Sequence, residues 1–507
     1  MLKSVGSNWA RIIVAILVNF FLTPFLIRKL GVDLYGSWAV ISAYTGWLVL
    51  MQVGIPMASV RLFAQSIGKG DIPGLNRAVA TSLRVSIIVG LVAALGGGVL
   101  FTIYNCLNVS KVSAAHIADA RIAFFIVVLQ LIIGFACQIP YGIMAAHQDF
   151  PVSNLISISG ILLRLVALTA IMTSTAASLA LIATVNLAVS LFEGVVGLCV
   201  VRMRYPGIRP RGGLDRTLVK TLLSFSGYVL LLNVGNQLAF STDSIVISSL
   251  IDNKSVTSFE NGKMFVIYLT EFIVAIGAVV MPLTVKLETQ GKHDDIRLLL
   301  RKWLKASLSL SLLPGLYLVV FGEAFIKRWI DAPGFDSSAA GMVLSVLMVS
   351  HFAFLPARGV ALPIIMGLGR PAAVTVAFAI SSVVNLGLSI SLARPLGLLG
   401  IALGTAIPEV VFALYAIWVS CRLSGSRCSE IFQHAVVRTV PGAMIMLSFL
   451  VLVSKLVVPS TWFLLIAIGV AYLVVFAIVW AFYVYRADSD FDPCRFLKKQ
   501  FLKRSTC

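Results

Sequence analysis

The sequence predicts an all-α, polytopic membrane protein of fourteen transmembrane helices: two six-helix lobes in a pseudo-twofold arrangement, then two further C-terminal helices. Three observations lead there. Of 507 residues, 59% are hydrophobic and 12% charged, against about 45–50% and about 25% in average globular chains. The apolar residues come in runs of about 20, long enough to cross the hydrocarbon layer as helices. These runs are apolar all round, unlike the roughly ten-residue alternating strands of a membrane barrel. Finally, the segment starting at Ser178 (SLALIATVNLAVSLFEGVV) resembles the segment starting at Gly400 (GIALGTAIPEVVFALYAI), and SNWARIIVAI at Ser7 sits where SGYVLLLNVG at Ser226 begins span seven. A shift of six spans preserves orientation and implies parallel halves about an axis along the membrane normal.

The spans read 9–30, 36–60, 82–107, 121–146, 152–173, 177–201, 222–245, 259–285, 306–329, 341–366, 372–393, 400–421, 440–458 and 462–485. Trp9–Leu30 is long enough to span and is followed by more spans, so it reads as the first helix and not as a signal peptide. The expected organisation is an N-terminal lobe (1–201), a basic linker (202–221), a second lobe (222–421), extra helices (422–485) and a basic tail (486–507).

An even number of spans puts both termini on one side. Of the 40 lysines and arginines, 26 fall in loops on that side, 3 in the opposite loops and 11 inside spans. Basic loops stay in the cytoplasm, so both termini are expected there. This asymmetry accounts for most of the net charge of +19, and no nucleic-acid partner is needed to explain it. The tail (Arg495, Lys498, Lys499, Lys503, Arg504) reads either as a contact to anionic lipid headgroups or as a topology signal. The seven cysteines show no metal-ligand spacing, so neither a metal, a cofactor nor a disulfide is expected. The outer loops are too short for a catalytic domain, so the chain does not read as an enzyme.

The informative residues are the charges inside spans. An ionisable side chain at mid-bilayer costs roughly 2.5–3.5 kcal/mol on insertion scales and marks a polar interior. Arg11, Arg84, Arg164, Lys263 and Arg358 are the candidates to line a cationic cavity, which implies an anionic cargo. Helical spacing adds polar stripes: Asn233, Asn236, Gln237, Phe240 and Asp243 in span seven; Asn186, Ser190 and Glu193 in span six; Glu260, Lys263 and Glu271 in span eight. Span four offers Gln130, Gly134, Gln138 and Tyr141; span five offers Ser153, Ser157, Gly160 and Arg164; span ten offers His351, Phe354 and Arg358. Such faces also glue helices together, and the charges also form structural ion pairs. His351 reads as a satisfied core histidine. Arg28 and Lys29 sit at the outer end of span one, against the positive-inside trend.

The N-terminal sequence from Ser7 to Gln65 resembles the start of a Wzx-type polysaccharide flippase of the MOP superfamily, the group that also holds lipid II flippases and MATE transporters. The resembling residues are Leu30-Gly31, Tyr35-Gly36, Trp38 and Gly54 before Arg61. The resemblance implies a flippase of the bacterial inner membrane. It would move undecaprenyl-diphosphate-linked oligosaccharide between leaflets by alternating access, for O-antigen lipopolysaccharide or exopolysaccharide synthesis. A coupling ion, H⁺ or Na⁺, would bind at Asp243, Glu193 or Glu271, and the span-seven amides would face sugar hydroxyls. A polysaccharide polymerase and a chain-length regulator are the implied partners. Span two carries only Arg61, at its inner end, which departs from the arginine pattern of lipid II flippases. The alternatives are an ion-coupled MATE-like antiporter, which the excess of bases over acids in the spans disfavours, and a membrane polymerase, which the short outer loops disfavour.

Overall fold

A computed structural model of the protein describes residues 2–52, 54–210, 212–224 and 227–486. The tail residues from Arg495 to Arg504 lie outside the described residues. Among the described residues there is no strand. The helices are α1 (Leu2–Leu30), α2 (Val32–Val49), α3 (Ile55–Gly68), α4 (Ile72–Leu107), α5 (Ile117–Ala146) and α6 (Phe150–Ser174). They continue with α7 (Leu179–Arg204), α8 (Arg216–Ser224), α9 (Gly227–Phe240), α10 (Thr242–Leu250), α11 (Asn253–Thr289) and α12 (His293–Ile330). The last are α13 (Ser337–Pro356), α14 (Leu362–Gly367), α15 (Ala372–Leu423), α16 (Cys428–Val436), α17 (Thr439–Leu456) and α18 (Trp462–Val479). Twelve helical stretches among the described residues are long and apolar enough to cross a membrane, and the protein is an integral multi-pass membrane protein.

The expected fourteen differ from these twelve at two places. Span seven is divided at Ser241 into α9 and α10, of 14 and 9 residues, each too short to count. Spans eleven and twelve run together as α15, whose 52 residues would measure about 78 Å if straight. It is not straight. Gly397 (φ 58°, ψ −136°) interrupts the helical backbone, and the two arms fold against each other so closely that Gly404 backs onto Ser389. An L-residue at that φ/ψ is strained by about 1–3 kcal/mol. Gly397→Ala is therefore expected to lower the melting temperature in detergent. Gly98→Ala, at an open helical position, should leave it unchanged or raise it slightly.

Local chemistry sets the helix starts. Asp71 accepts from the Gly74 amide (2.8 Å), Asp336 from Ala339 (2.9 Å) and Thr461 from Leu464 (3.2 Å), each satisfying an amide the helix cannot. α7 is capped twice, by its own Ser178 on Leu181 (3.1 Å) and by Asp119 of α5, which accepts from Leu179 (2.7 Å) and Ala180 (3.1 Å). Pro24, Pro140, Pro282 and Pro314 lie inside continuous helices. Pro356 borders a change of winding, a π-turn over Ala357–Ala361.

Contacts divide the chain into two compact units: Met1–Thr257 with Ile330–Phe335, and Ser258–Trp329 with Asp336–Cys507. One core of the first unit gathers Phe63, Leu75, Ile139, Ile143, Met144 and Val201 from α3, α4, α5 and α7. In the second, α17 and α18 pack Met446, Leu450, Tyr472 and Phe476 onto Leu312, Leu316 and Phe321 of α12. There Lys305, almost wholly buried, donates to the Val484 carbonyl (3.2 Å) and lies 4.9 Å from the Tyr485 ring. A cation at the end of the last helix meets its unsatisfied carbonyls and the negative end of its dipole. Large apolar side chains such as Leu95, Val99, Ile380 and Phe463 remain exposed, as lipid-facing surfaces require.

Candidate functional site

A polar cluster of the second unit lies around Arg358. The π-turn carries this residue, with Pro356 before it and Pro363 at the start of α14 behind it. Its guanidinium stands 5.3 Å from the Phe378 ring and 6.0 Å from the Phe354 ring, and interacts electrostatically with Glu409 of α15. Glu409 is 3% exposed. It accepts from the Ser350 hydroxyl (3.1 Å) and lies 3.3 Å from Nδ1 of His351. That nitrogen is 2.8 Å from the Leu347 carbonyl, which can only accept, so Nδ1 carries a proton and the imidazole is satisfied as a core histidine. Phe412 closes the cluster against Phe354 and Phe378. A guanidinium, a carboxylate, a hydroxyl and an imidazole thus share one buried, aromatic-walled volume. Glu409 belongs to no polar stripe, because at helical spacing its own helix gives it no polar neighbour beyond Thr405. Its signal was the repeat: Glu193 and Glu409 are the single acids of the two similar segments at Ser178 and Gly400.

The first unit holds a second pair. Arg164 of α6 interacts electrostatically with Glu193 of α7. The Glu193 carboxylate lies directly over Gly160, where any side chain would displace it, and Tyr141 of α5 faces it. The stripes of spans four and six meet again at Gln130, which donates to Ser190 (3.0 Å). Three of the expected faces therefore converge on one carboxylate.

Lys263 is buried, bonds Glu260 at 2.6 Å one turn earlier and lies 5.3 Å from the Phe259 ring. Of the span-seven amides, Gln237 donates to the Ala43 carbonyl of α2 (3.3 Å), while Asn233 and Asn236 share its helix α9. Asp243 is buried in the first turn of α10, and Glu271 is exposed on α11. Arg11 is half-buried on α1. Arg84 is exposed and donates to the Gly212 carbonyl of the linker. Among the described residues no group of three or more His, Cys, Asp or Glu could hold a metal ion.

One hydrogen-bond network of the first unit was not foreseen. At the end of α2 that follows the α1–α2 turn, Asn253 donates to Ser37 (3.0 Å) and to the Lys111 carbonyl (3.2 Å), and accepts from Ser248 (2.6 Å). Asn108 accepts from Tyr44 (2.7 Å) and donates to Ser249 (3.0 Å). Thr257 donates to the Val32 carbonyl (2.6 Å), and Gly36 lies against the Asn253 carbonyl with no space for a side chain. The outlying Arg28 belongs to this end as well, donating to the Ile330 carbonyl (3.0 Å).

This is the fold of the MOP-superfamily transporters. A structure of the lipid II flippase MurJ, in an inward closed conformation, superposes with a TM-score of 0.73 at 14% identity, covering 95% of this chain and 99% of that one. A multidrug resistance MATE family transporter of the MOP superfamily, inward-facing, gives 0.71 at 13% identity, covering 84% and 100%. The chain belongs to the polysaccharide biosynthesis protein family, whose pattern matches residues 1–288. It is 20% identical over 476 residues to the uncharacterized membrane protein EpsK of Bacillus subtilis (strain 168), with 92% of each chain covered.

Proposed function

We propose that the protein is a flippase that moves undecaprenyl-diphosphate-linked oligosaccharide from the cytoplasmic to the periplasmic leaflet of the bacterial inner membrane. The observation that carries this reading is the trio of cations within membrane spans, Arg164, Lys263 and Arg358, in a member of a polysaccharide biosynthesis family. Each has a carboxylate beside it: Glu193, Glu260 and Glu409. Such pairs hold the cations neutralised while no cargo is bound. A diphosphate brings at least two negative charges where a carboxylate brings one. In a poorly screened interior, that difference amounts to several kcal/mol at contact distance. Protonating Glu193 or Glu409 would release its arginine to the diphosphate, which couples cargo binding to proton uptake. Planar guanidiniums suit phosphate oxygens through paired hydrogen bonds. The amides of α9 supply hydrogen bonds for sugar hydroxyls. The network around Asn253 acts as the outer closure in an alternating-access cycle.

The test is complementation of a flippase-deficient strain. The combined variant Arg164→Ala, Lys263→Ala, Arg358→Ala is expected to abolish surface polysaccharide. Unchanged polysaccharide would remove these residues from the cargo site. An antiporter of small cationic compounds would instead show itself as drug resistance in an overexpressing strain.

A further inference from the structure

The linker between α7 and α8 is held down along its length. Asn76 of α4 clasps it from both ends of its amide, accepting from the Arg209 amide (2.7 Å) and donating to the Gly207 carbonyl (3.3 Å). Arg84 donates to the Gly212 carbonyl, and Thr81 accepts from the Asp215 amide (3.4 Å). Ile208 is buried in the core around Phe63, and Leu222 of α8 is wholly buried against Ile55, Ala58 and Val85. The outward face of the segment is therefore fixed.

That face is basic. Lys69, Arg77, Arg202, Arg209, Arg216 and Lys220 are all exposed. Its acids are already engaged within the fold. Asp71 caps α4, Asp149 accepts from Tyr205 (2.8 Å) and pairs with Arg204 (2.6 Å), and Asp215 accepts from the amides of Thr217 (2.9 Å) and Leu218 (3.3 Å). Burial holds His147, stacked on Tyr205, below the ordinary imidazole range, so at pH 7 it is neutral. Among the arginines stand two exposed apolar side chains, Met203 (76% exposed) and Leu214 (44%). Basic heads interleaved with apolar anchors, on a surface flanking membrane-spanning helices, are the composition of a headgroup-level interface.

We infer that the docked linker, with the first turns of α4 and the last turn of α7, binds anionic phospholipid headgroups of the adjacent leaflet. Arginines engage the phosphates, while Met203 and Leu214 enter the acyl boundary. This rests on the membrane assignment of α4 and α7 alone, not on the cargo proposed above, so failure of one leaves the other standing.

The experiment follows the thermal melting of purified full-length protein in mixed micelles containing phosphatidylglycerol or phosphatidylcholine. Wild-type protein is expected to melt several degrees higher with phosphatidylglycerol, and 0.5 M salt should erase the difference through screening. Arg77→Gln/Arg202→Gln/Arg209→Gln/Arg216→Gln should lose the difference while melting like wild type in phosphatidylcholine. Apparent affinity should fall about fivefold per charge removed. Inorganic diphosphate should shift wild type and this variant alike, whatever it binds elsewhere; if it stabilises wild type alone, the face is a general anion site and the inference falls. It falls too if wild type fails to distinguish the two lipids or the variant responds fully, since the charges then serve only to orient the chain. Should the variant not fold, native mass spectrometry of wild-type protein decides. Retention of phosphatidylglycerol over phosphatidylcholine by about tenfold supports the surface, and equal retention overturns it.

Discussion

Arg358→Ala is expected to destabilise the protein by about 3–5 kcal/mol, because it leaves Glu409 as a buried carboxylate without its cation. Glu409 is only 3% exposed; the Ser350 hydroxyl donates to it, and the Nδ1 proton of His351 is directed at the Leu347 carbonyl. The double variant Arg358→Met/Glu409→Leu removes both charges and keeps comparable volume, so it should melt within about 1–2 kcal/mol of wild type or higher. Thermal melting in detergent reads the stabilities, and complementation reads transport. The double variant is expected to be stable but inactive, which separates a transport role from a packing role. A single variant that melts with wild type would mean the pair is hydrated and offers no desolvated site for a diphosphate. A double variant with full transport would mean that the pair serves packing alone.

The parts of the molecule that depend on chain composition were readable in advance. A helix in hydrocarbon must be apolar all round for about 20 residues, so the runs themselves locate the spans. Helix ends were less readable, because hydropathy sees only the lipid-embedded part. α4 begins at Ile72 and α12 at His293, ten or more residues before their apolar runs. A break such as Ser241 leaves no mark on hydropathy either. The candidate site was half visible. Helical periodicity put Arg164, Lys263 and Arg358 on polar faces, but a face does not name its partner. The local pair, Lys263 with Glu260, is one turn apart and could be read from spacing. Arg164 with Glu193 and Arg358 with Glu409 join different helices, and only the fold brings them together. Arg28 shows the same limit. Its place in the last turn of α1, odd by the charge pattern of the loops, makes sense once the Ile330 carbonyl lies 3.0 Å away, roughly 300 residues on in sequence.

Asn253→Ala is expected to loosen the end of the first unit where α2 meets α10. One side-chain amide there makes three hydrogen bonds, to Ser37, the Lys111 carbonyl and Ser248, in a site where Asn253 is 1% exposed and Ser248 is fully buried. Removing it strands a buried hydroxyl and a carbonyl. Each stranded group costs about 1–3 kcal/mol, and only while the closure is formed. Opening lets water satisfy the same groups, so the substitution penalises the closed arrangement and not the open one. A bias of about 1.4 kcal/mol shifts the balance tenfold. Ser249, bonded to Asn108 at the same end, is a suitable reporter. In a cysteine-free background, Ser249→Cys should react with an external membrane-impermeant maleimide about tenfold faster when Asn253 is alanine. Asn253→Ser shortens the side chain but keeps a hydroxyl, and should fall between. Gly36→Val should act like Asn253→Ala by a different route, since its side chain has no space against the Asn253 carbonyl and must part the two helices. If both variants leave the labelling rate unchanged, this network is static packing and the outer closure lies elsewhere. If labelling rises while complementation persists, opening outward does not limit transport.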